Sequence, residues 1–193
     1  MDIICAQGTE AGGHTGDVAT FPLIPQVVDK CKGRVNFFGK PVAVVAAGGV
    51  FDGRGLAAAL CLGAAGVWVG TRFIASEEAS ASDQHKKNVI EAGPDDTRRT
   101  IILTGRPARV LNSAYVKSWE DERPDKIREL TSKGIVPFAI DVEQGKVLPS
   151  EGLTAALGQS AGGVKEILPA SEIINRMMVD AVAVIRATPI ARL

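Results

Sequence analysis

One loop of the chain concentrates the groups able to do chemistry: Gln7-Gly8-Thr9-Glu10-Ala11-Gly12-Gly13-His14-Thr15-Gly16, entered straight from the apolar run Asp2-Ile3-Ile4-Cys5-Ala6. Its four glycines let backbone and ligand approach closely. His14 carries an imidazole, whose charge changes near neutral pH, so it is the candidate general base. A loop histidine that merely hydrogen-bonds a carbonyl fits the same residues.

Two further runs end in glycine. Val42-Ala43-Val44-Val45 leads into Ala46-Ala47-Gly48-Gly49, and Gly66-Val67-Trp68-Val69 leads into Gly70-Thr71. Short β-branched runs bounded by glycines read as buried parallel strands whose C-terminal ends bring bare N–H groups close to a ligand, with phosphate the expected one. Between them, Asp52 to Leu62 reads as an alanine-rich helix with Asp52 as N-cap and Gly63 after its end. Taken singly, each glycine marks only a tight turn. Strand, Gly-Gly, helix, strand and Gly-Thr in succession match the phosphate cradle that follows the last two strands of a (β/α)8 barrel.

Three motifs in this order, Gln7-Gly8-Thr9-Glu10-Ala11-Gly12-Gly13-His14, Ala46-Ala47-Gly48-Gly49-Val50-Phe51-Asp52-Gly53-Arg54-Gly55 and Gly70-Thr71-Arg72-Phe73 with Glu77-Glu78, make the chain resemble the nitronate monooxygenase family, formerly called 2-nitropropane dioxygenases. The resemblance runs from about Asp2 to Ala187. It implies an FMN-dependent α/β barrel enzyme that oxidises alkyl nitronates or nitroalkanes with oxygen, in which His14 abstracts a proton from the nitroalkane. It further implies that Gln7, Gly12 and Gly13 approach the flavin, that Gly48 and Gly49 bind its phosphate through N–H groups, and that Trp68, Val69, Gly70 and Thr71 complete the cradle, Thr71 with a hydroxyl donor. The Trp68 side chain itself is expected in the core. Gly158-Gln159-Ser160-Ala161-Gly162-Gly163 resembles the family's Gly-Gln loop near the active site, its plainer reading being a flexible connector. A weaker resemblance, to flavin-dependent enoyl-acyl-carrier-protein reductases, supplies an alternative function, and a truncated, non-catalytic remnant of the barrel is a third reading.

A complete barrel takes about 250 residues and eight strands, whereas this chain has 193 and shows only three strands of the parallel set. The expectation is therefore a single partial domain over 1–193, the C-terminal part of a (β/α)8 TIM barrel truncated at its N-terminus. Strand Asp2 to Ala6 would then present an uncovered edge through which chains could self-associate. Residues 95–150 read as a mixed insertion or lid. Within them, Thr100-Ile101-Ile102-Leu103 reads as a strand, Thr104-Gly105-Arg106-Pro107 as a turn, and Trp119 to Lys133 as a charged helix broken by Pro124. Arg106 and Arg109 are candidates for an anionic substrate, structural ion pairs being their commoner use.

The remaining elements are positioning parts. Leu23 to Cys31 reads as a short helix with Pro25 in its first turn. Ser82 to Ala92 reads as a polar helix ending at Gly93, on which His85 would be a solvated surface residue. Ser171 to Ala187 reads as a long helix whose Ile174, Met177, Ala181 and Ile185 form the core stripe, with Met177 and Met178 as gap fillers.

Twenty-two basic and 22 acidic residues cancel and are interspersed, which argues against a nucleic-acid or membrane partner. Cys5, Cys31 and Cys61 lack metal-ligand spacing and read as buried thiols in a reducing compartment, cytoplasmic or organelle matrix. Two histidines far apart in sequence make no metal site. No apolar stretch reaches the roughly 20 residues of a membrane span.

Overall fold

Strands β1 (Ile3–Gln7), β3 (Ala43–Ala47) and β4 (Gly66–Trp68) pair in parallel, in the order β1-β3-β4, in the computed structural model, which describes residues 1–153 and 156–187. The register aligns Cys5 with Val45 and Gly66, and Gln7 with Ala47 and Trp68. Alternation along the strands then separates two faces. Ile4, Ala6, Val44, Ala46 and Val67 pack around the fully buried Ile24 of helix α1 (Thr20–Cys31). The opposite face carries Ile3, Cys5, Gln7 and Trp68, all exposed. Trp68 is 69% exposed and so is not a core residue. Its register with Gln7 puts it on the open face.

Helix α1 begins at Thr20 rather than Leu23, which places Pro25 inside it and Pro22 in the first turn. Its start is drawn upstream because the Glu10 carboxylate accepts hydrogen bonds from Thr20 N (3.1 and 2.9 Å) and Thr20 Oγ1 (2.8 Å). That anchor satisfies an otherwise orphaned first-turn N–H. Helix α2 (Gly53–Cys61) starts as its sequence requires: Asp52 Oδ1 accepts from Gly55 N at 2.9 Å. Gly63, just past its end, takes φ +92°, the left-handed conformation expected of a terminating glycine.

Helix α9 (Ala170–Ala187) lies across α2 and buries Ile173, Met177 and Ala181. The expected stripe is therefore rotated: Ile174 is 53% and Ile185 41% exposed, and Met178 faces solvent too. The reason is the close crossing at Gly53, where a Cβ would sit 2.4 Å from Asp180 Cβ and 2.6 Å from the Met177 carbonyl oxygen. Only the side of α9 that meets this notch is covered.

A second, antiparallel sheet runs in the order β2-β6-β5, from β2 (Gly13–His14), β5 (Thr97–Thr100) and β6 (Ala108–Leu111). The apolar run Thr100 to Leu103 is thus not a strand. Its strand ends at Thr100, and Ile102 turns inward, fully buried with Val110, Val116, Trp119, Ile127 and Leu130. These last residues come from β6 and from α5 (Ala114–Glu120) and α6 (Pro124–Ser132), the break between the two helices falling where Pro124 opens α6. Helix α7 (Pro137–Glu143), which the short α8 (Pro149–Leu153) follows, adds Asp141, buried beneath them. Its carboxylate accepts from Trp119 Nε1 (2.9 Å), Tyr115 OH (3.0 Å) and Lys146 Nζ (3.3 Å). Burial opposes the charge of Asp141, yet these donors outweigh it and hold the carboxyl below its ordinary range. Of the cysteines only Cys31 is buried. Cys5 lies on the open sheet face and Cys61 is exposed at the end of α2.

Among the described residues no helix is long and apolar enough to cross a membrane, and no group of three or more His, Cys, Asp or Glu could hold a metal ion.

The Gly53 notch yields a test. Gly53→Ala forces α2 and α9 apart and should destabilise the chain by about 1–3 kcal/mol, the usual cost of overpacking. Gly16→Ala, where an added Cβ meets nothing within 4 Å, should leave the urea midpoint unchanged. Equal midpoints for the two variants would contradict the close crossing.

Candidate functional site

Parallel pairing brings the C-terminal ends of β1, β3 and β4 to one edge, so the three glycine-rich turns meet there. Gly8 N continues the ladder by donating to the Ala47 carbonyl at 2.9 Å. A Cβ on Gly8 would lie 2.1 Å from Thr20 Oγ1, and one on Gly48 would lie 2.9 Å from the same atom. Thr20 Oγ1 also reaches the Gly48 carbonyl oxygen at 3.0 Å. Both glycines therefore admit the start of α1 against the strand ends. Gly48 and Gly49 have φ +96° and +77°, conformations that glycine adopts without strain.

The turns enclose a cavity of about 310 Å³, near the lower end of the range for ligand sites, about 300–1,000 Å³. Gln7, Gly12, Gly48, Gly49, Trp68, Gly70 and Thr71 line it, as do His85 and Ser160. Gly13, His14 and Val69 do not. Val69 packs into the core between α2 and α9, while Gly13 and His14 lie on β2 opposite Arg109 and Ala108. His14 is exposed, with Nε2 2.9 Å from Thr104 Oγ1. Gln7 connects the two places: its Nε2 donates to the His14 carbonyl at 2.6 Å.

Gly70 is informative because nothing in the protein requires a glycine there. Its φ is −98° and an added Cβ would meet nothing within 4 Å. Among the described residues, the amides of Gly48, Gly49 and Gly70 donate to no protein acceptor. Three such N–H groups beside an open position suit the oxygens of a phosphate. Thr71 is buried, and its Oγ1 accepts from Gly158 N at 2.9 Å, which leaves the hydroxyl proton as the group it can offer.

Arg109 makes neither of its expected contacts. Buried, it donates through Nε to the Thr9 carbonyl (2.9 Å) and through Nη1 to Thr97 Oγ1 (3.2 Å), clamping the His14 loop to β5. Burial, followed by nearby Arg99, pushes its guanidinium below the usual arginine range against the pull of Glu10. Arg106 is exposed. The segment Gln159–Gly163 forms a 3₁₀ turn, not a flexible connector. Gln159 N donates to the Glu10 carbonyl at 2.9 Å, and a Cβ on Gly12 would lie 2.7 Å from Gly158 N, so this turn and the His14 loop touch backbone to backbone.

His85 is the residue that sequence reasoning misplaced. It stands on α4 (Asp83–Glu91), half-buried, with Nε2 donating to the Ala156 carbonyl at 2.9 Å and its ring against the cavity. A signal existed: Val89 and Ala92 are buried, and His85 precedes Val89 by four residues on the same helical face.

A larger apolar groove of about 790 Å³ follows the β1 edge and α1 past Ile4, Leu23, Val27 and Val42, and it contains none of the candidate residues.

The family model described as nitronate monooxygenase matches residues 1–180. A Mycobacterium tuberculosis protein named as a monooxygenase is 38% identical over 184 residues, 92% of this chain and 47% of that protein. The structure of FabK from Thermotoga maritima superposes with a TM-score of 0.72 at 34% identity, over 96% of this chain and 56% of that one. The nitroalkane oxidase from Streptomyces ansochromogenes gives a TM-score of 0.71 at 28% identity, over 96% and 53%. The chain spans about half the length of these relatives.

The clamp beneath the site can be tested by stability. Glu10→Ala removes the acceptor of the Thr20 amide and one acceptor of its hydroxyl and should cost about 1–3 kcal/mol. Glu10→Gln keeps one side-chain acceptor and should cost clearly less in the same urea titration. Indistinguishable variants would mean that the carboxylate does not anchor α1.

Proposed function

The chain belongs to the nitronate monooxygenase family, and from that premise we propose that it carries the phosphate cradle and the base of an FMN-dependent oxidation of alkyl nitronates and nitroalkanes by oxygen. The observation behind this reading is the single edge at which three glycines with unpartnered amides line one cavity, with Gln7 linking it to His14. On this reading the fold is the C-terminal part of a (β/α)8 barrel.

The residues present fit the cofactor. Gly48, Gly49 and Gly70 would hold its phosphate through N–H groups, with Thr71 adding a hydroxyl, and Gln7, Gly12 and Gly13 would lie toward the rest of it. When bound, the flavin supplies the redox chemistry, taking electrons from the nitronate and passing them to oxygen. The chain's own residues supply position and proton transfer. His14 takes the proton from the carbon beside the nitro group. Gln7 holds the His14 backbone, and Thr104 holds its ring at Nε2. β6 pairs with β2, which carries His14, and on this reading residues 95–150 would be the insertion or lid over the base.

A second reading rests on the likeness to FabK at 34% identity: reduction of an enoyl thioester by a nicotinamide cofactor. Oxidation of NAD(P)H dependent on an enoyl thioester, without nitronate turnover, would select it.

Two substitutions test the first reading. Gly70→Asp has room to fold yet places a negative charge in the cradle, so it should lose FMN while keeping its unfolding midpoint. His14→Asn should lower the rate with a neutral nitroalkane by about 10²–10⁴, the usual worth of a general base, and slow a pre-formed nitronate much less. If the chain alone turns over neither substrate, both variants are read in a fusion to the N-terminal part of a relative. Equal losses with the two substrates would assign His14 to positioning, and retained FMN in Gly70→Asp would remove the cradle.

A further inference from the structure

Among the described residues, His85 is the only ionisable side chain lining the cavity at the strand ends; the rest of the lining is apolar side chains, glycines, Gln7, Thr71 and Ser160. Among the described residues no lysine, arginine or carboxylate lines it. A phosphate held there by neutral amides alone would sit partly desolvated without a counter-charge, which is costly.

The tautomer of His85 follows from its partner. A carbonyl oxygen only accepts, so Nε2, 2.9 Å from the Ala156 oxygen, carries a proton in either charge state. Nδ1 is then the nitrogen that gains or loses the second proton. Neutral, it presents a lone pair; protonated, it presents a charged N–H.

We propose that His85 is the charge-supplying member of the phosphate cradle, and that binding a phosphate monoester draws one proton from solvent onto Nδ1. Imidazole plus a proton becomes imidazolium, and no other bond changes. This inference rests on the cradle reading above and says which side chain gives that cradle its charge.

The charged groups on the elements packed against α4 are engaged elsewhere or lie outside the cavity. Lys86 Nζ donates to the carbonyls of Ser76 (2.7 Å) and Glu77 (3.1 Å), and Lys87 pairs with Glu91. Asp83 is exposed in the first turn. Arg72, on α3 (Thr71–Ile74), donates to the carbonyls of Ala75 and Glu166. Glu78 accepts from Ala170 N, and Gln159–Gly163 brings no charge. Tyr115 and Glu151 face Gln84 and Asn88 across a separate groove.

The test compares FMN with riboflavin, which lacks the phosphate, by flavin fluorescence across about pH 5–8, the range over which an imidazole titrates. The proteins are the unmodified chain, His85→Gln, whose amide can still donate to Ala156, and His85→Arg. Phosphate monoesters themselves titrate near about pH 6, so the comparison between proteins is what counts. The unmodified chain should prefer FMN increasingly as pH falls. His85→Gln should lose about tenfold of that preference at the acid end, the scale of one charge-assisted hydrogen bond. His85→Arg should keep the preference at the alkaline end. Calorimetry of FMN binding in two buffers of different ionisation heat should show more proton uptake by the unmodified chain than by His85→Gln. An FMN preference with the same pH profile in His85→Gln, or equal proton uptake in the two proteins, overturns the role of His85 and leaves the cradle standing. No preference for FMN over riboflavin at any pH in the unmodified chain overturns the cradle, and this proposal with it.

Discussion

The amide and hydroxyl of Thr20 are the knot on which the functional edge depends. Both donate to the Glu10 carboxylate, and the same hydroxyl oxygen lies against the Gly48 carbonyl and in the space that a side chain on Gly8 would fill. Helix start, first loop and second strand end are thereby fixed to one another over a few ångströms. A partly buried carboxylate that accepts two charge-assisted bonds is stable in that place, whereas removing it strands an N–H at the head of α1. The glycines at 8 and 48 are needed by this knot first. Any ligand role for Gly48 falls to its amide, with no part played by its missing side chain.

From the knot, the loop carries His14 outward to a different structural unit. β2 joins β6, Arg109 reaches back to the Thr9 carbonyl, and Thr104 meets the imidazole. That unit has its own core around Ile102 and its own polar staple at Asp141. The cavity and the histidine thus belong to separate parts, linked among the described residues by Gln7, which reaches the His14 carbonyl, and by Arg109, which reaches the Thr9 carbonyl. The parallel sheet carries the cavity and the antiparallel one carries His14, so displacing either sheet would alter the distance between them.

The electrostatic character of the site is set by what is missing from its lining as well as by what is present. Basic residues are plentiful in the chain, yet those near the cavity spend their donors on carbonyls: Lys86 on Ser76 and Glu77, Arg72 on Ala75 and Glu166. Such contacts satisfy buried cations without pairing them. Among the described residues they leave backbone dipoles and one imidazole in the cavity lining.

Strand ends, glycine turns and the Asp52 cap were legible in the sequence because each is a local demand of the chain. β-Branched runs extend, an N-cap reaches three residues ahead, and a positive φ selects glycine at 48, 49 and 63. Which face those elements bury was not legible. Trp68 is exposed because its register with Gln7 puts it on the open side of the sheet, and the stripe on α9 is rotated to Ile173 because Gly53 opens a notch for it. The apolar run Thr100 to Leu103 announced burial, but whether it met that demand as a strand or a turn was decided by α5 and α6 packing over Ile102. His85 reached the cavity through the packing of α4, and Thr104 reached His14 from ninety residues away. Periodicity and capping act within a few residues and so are written in the sequence itself; burial, register and the meeting of side chains arise between distant segments, and only the tertiary structure decides them.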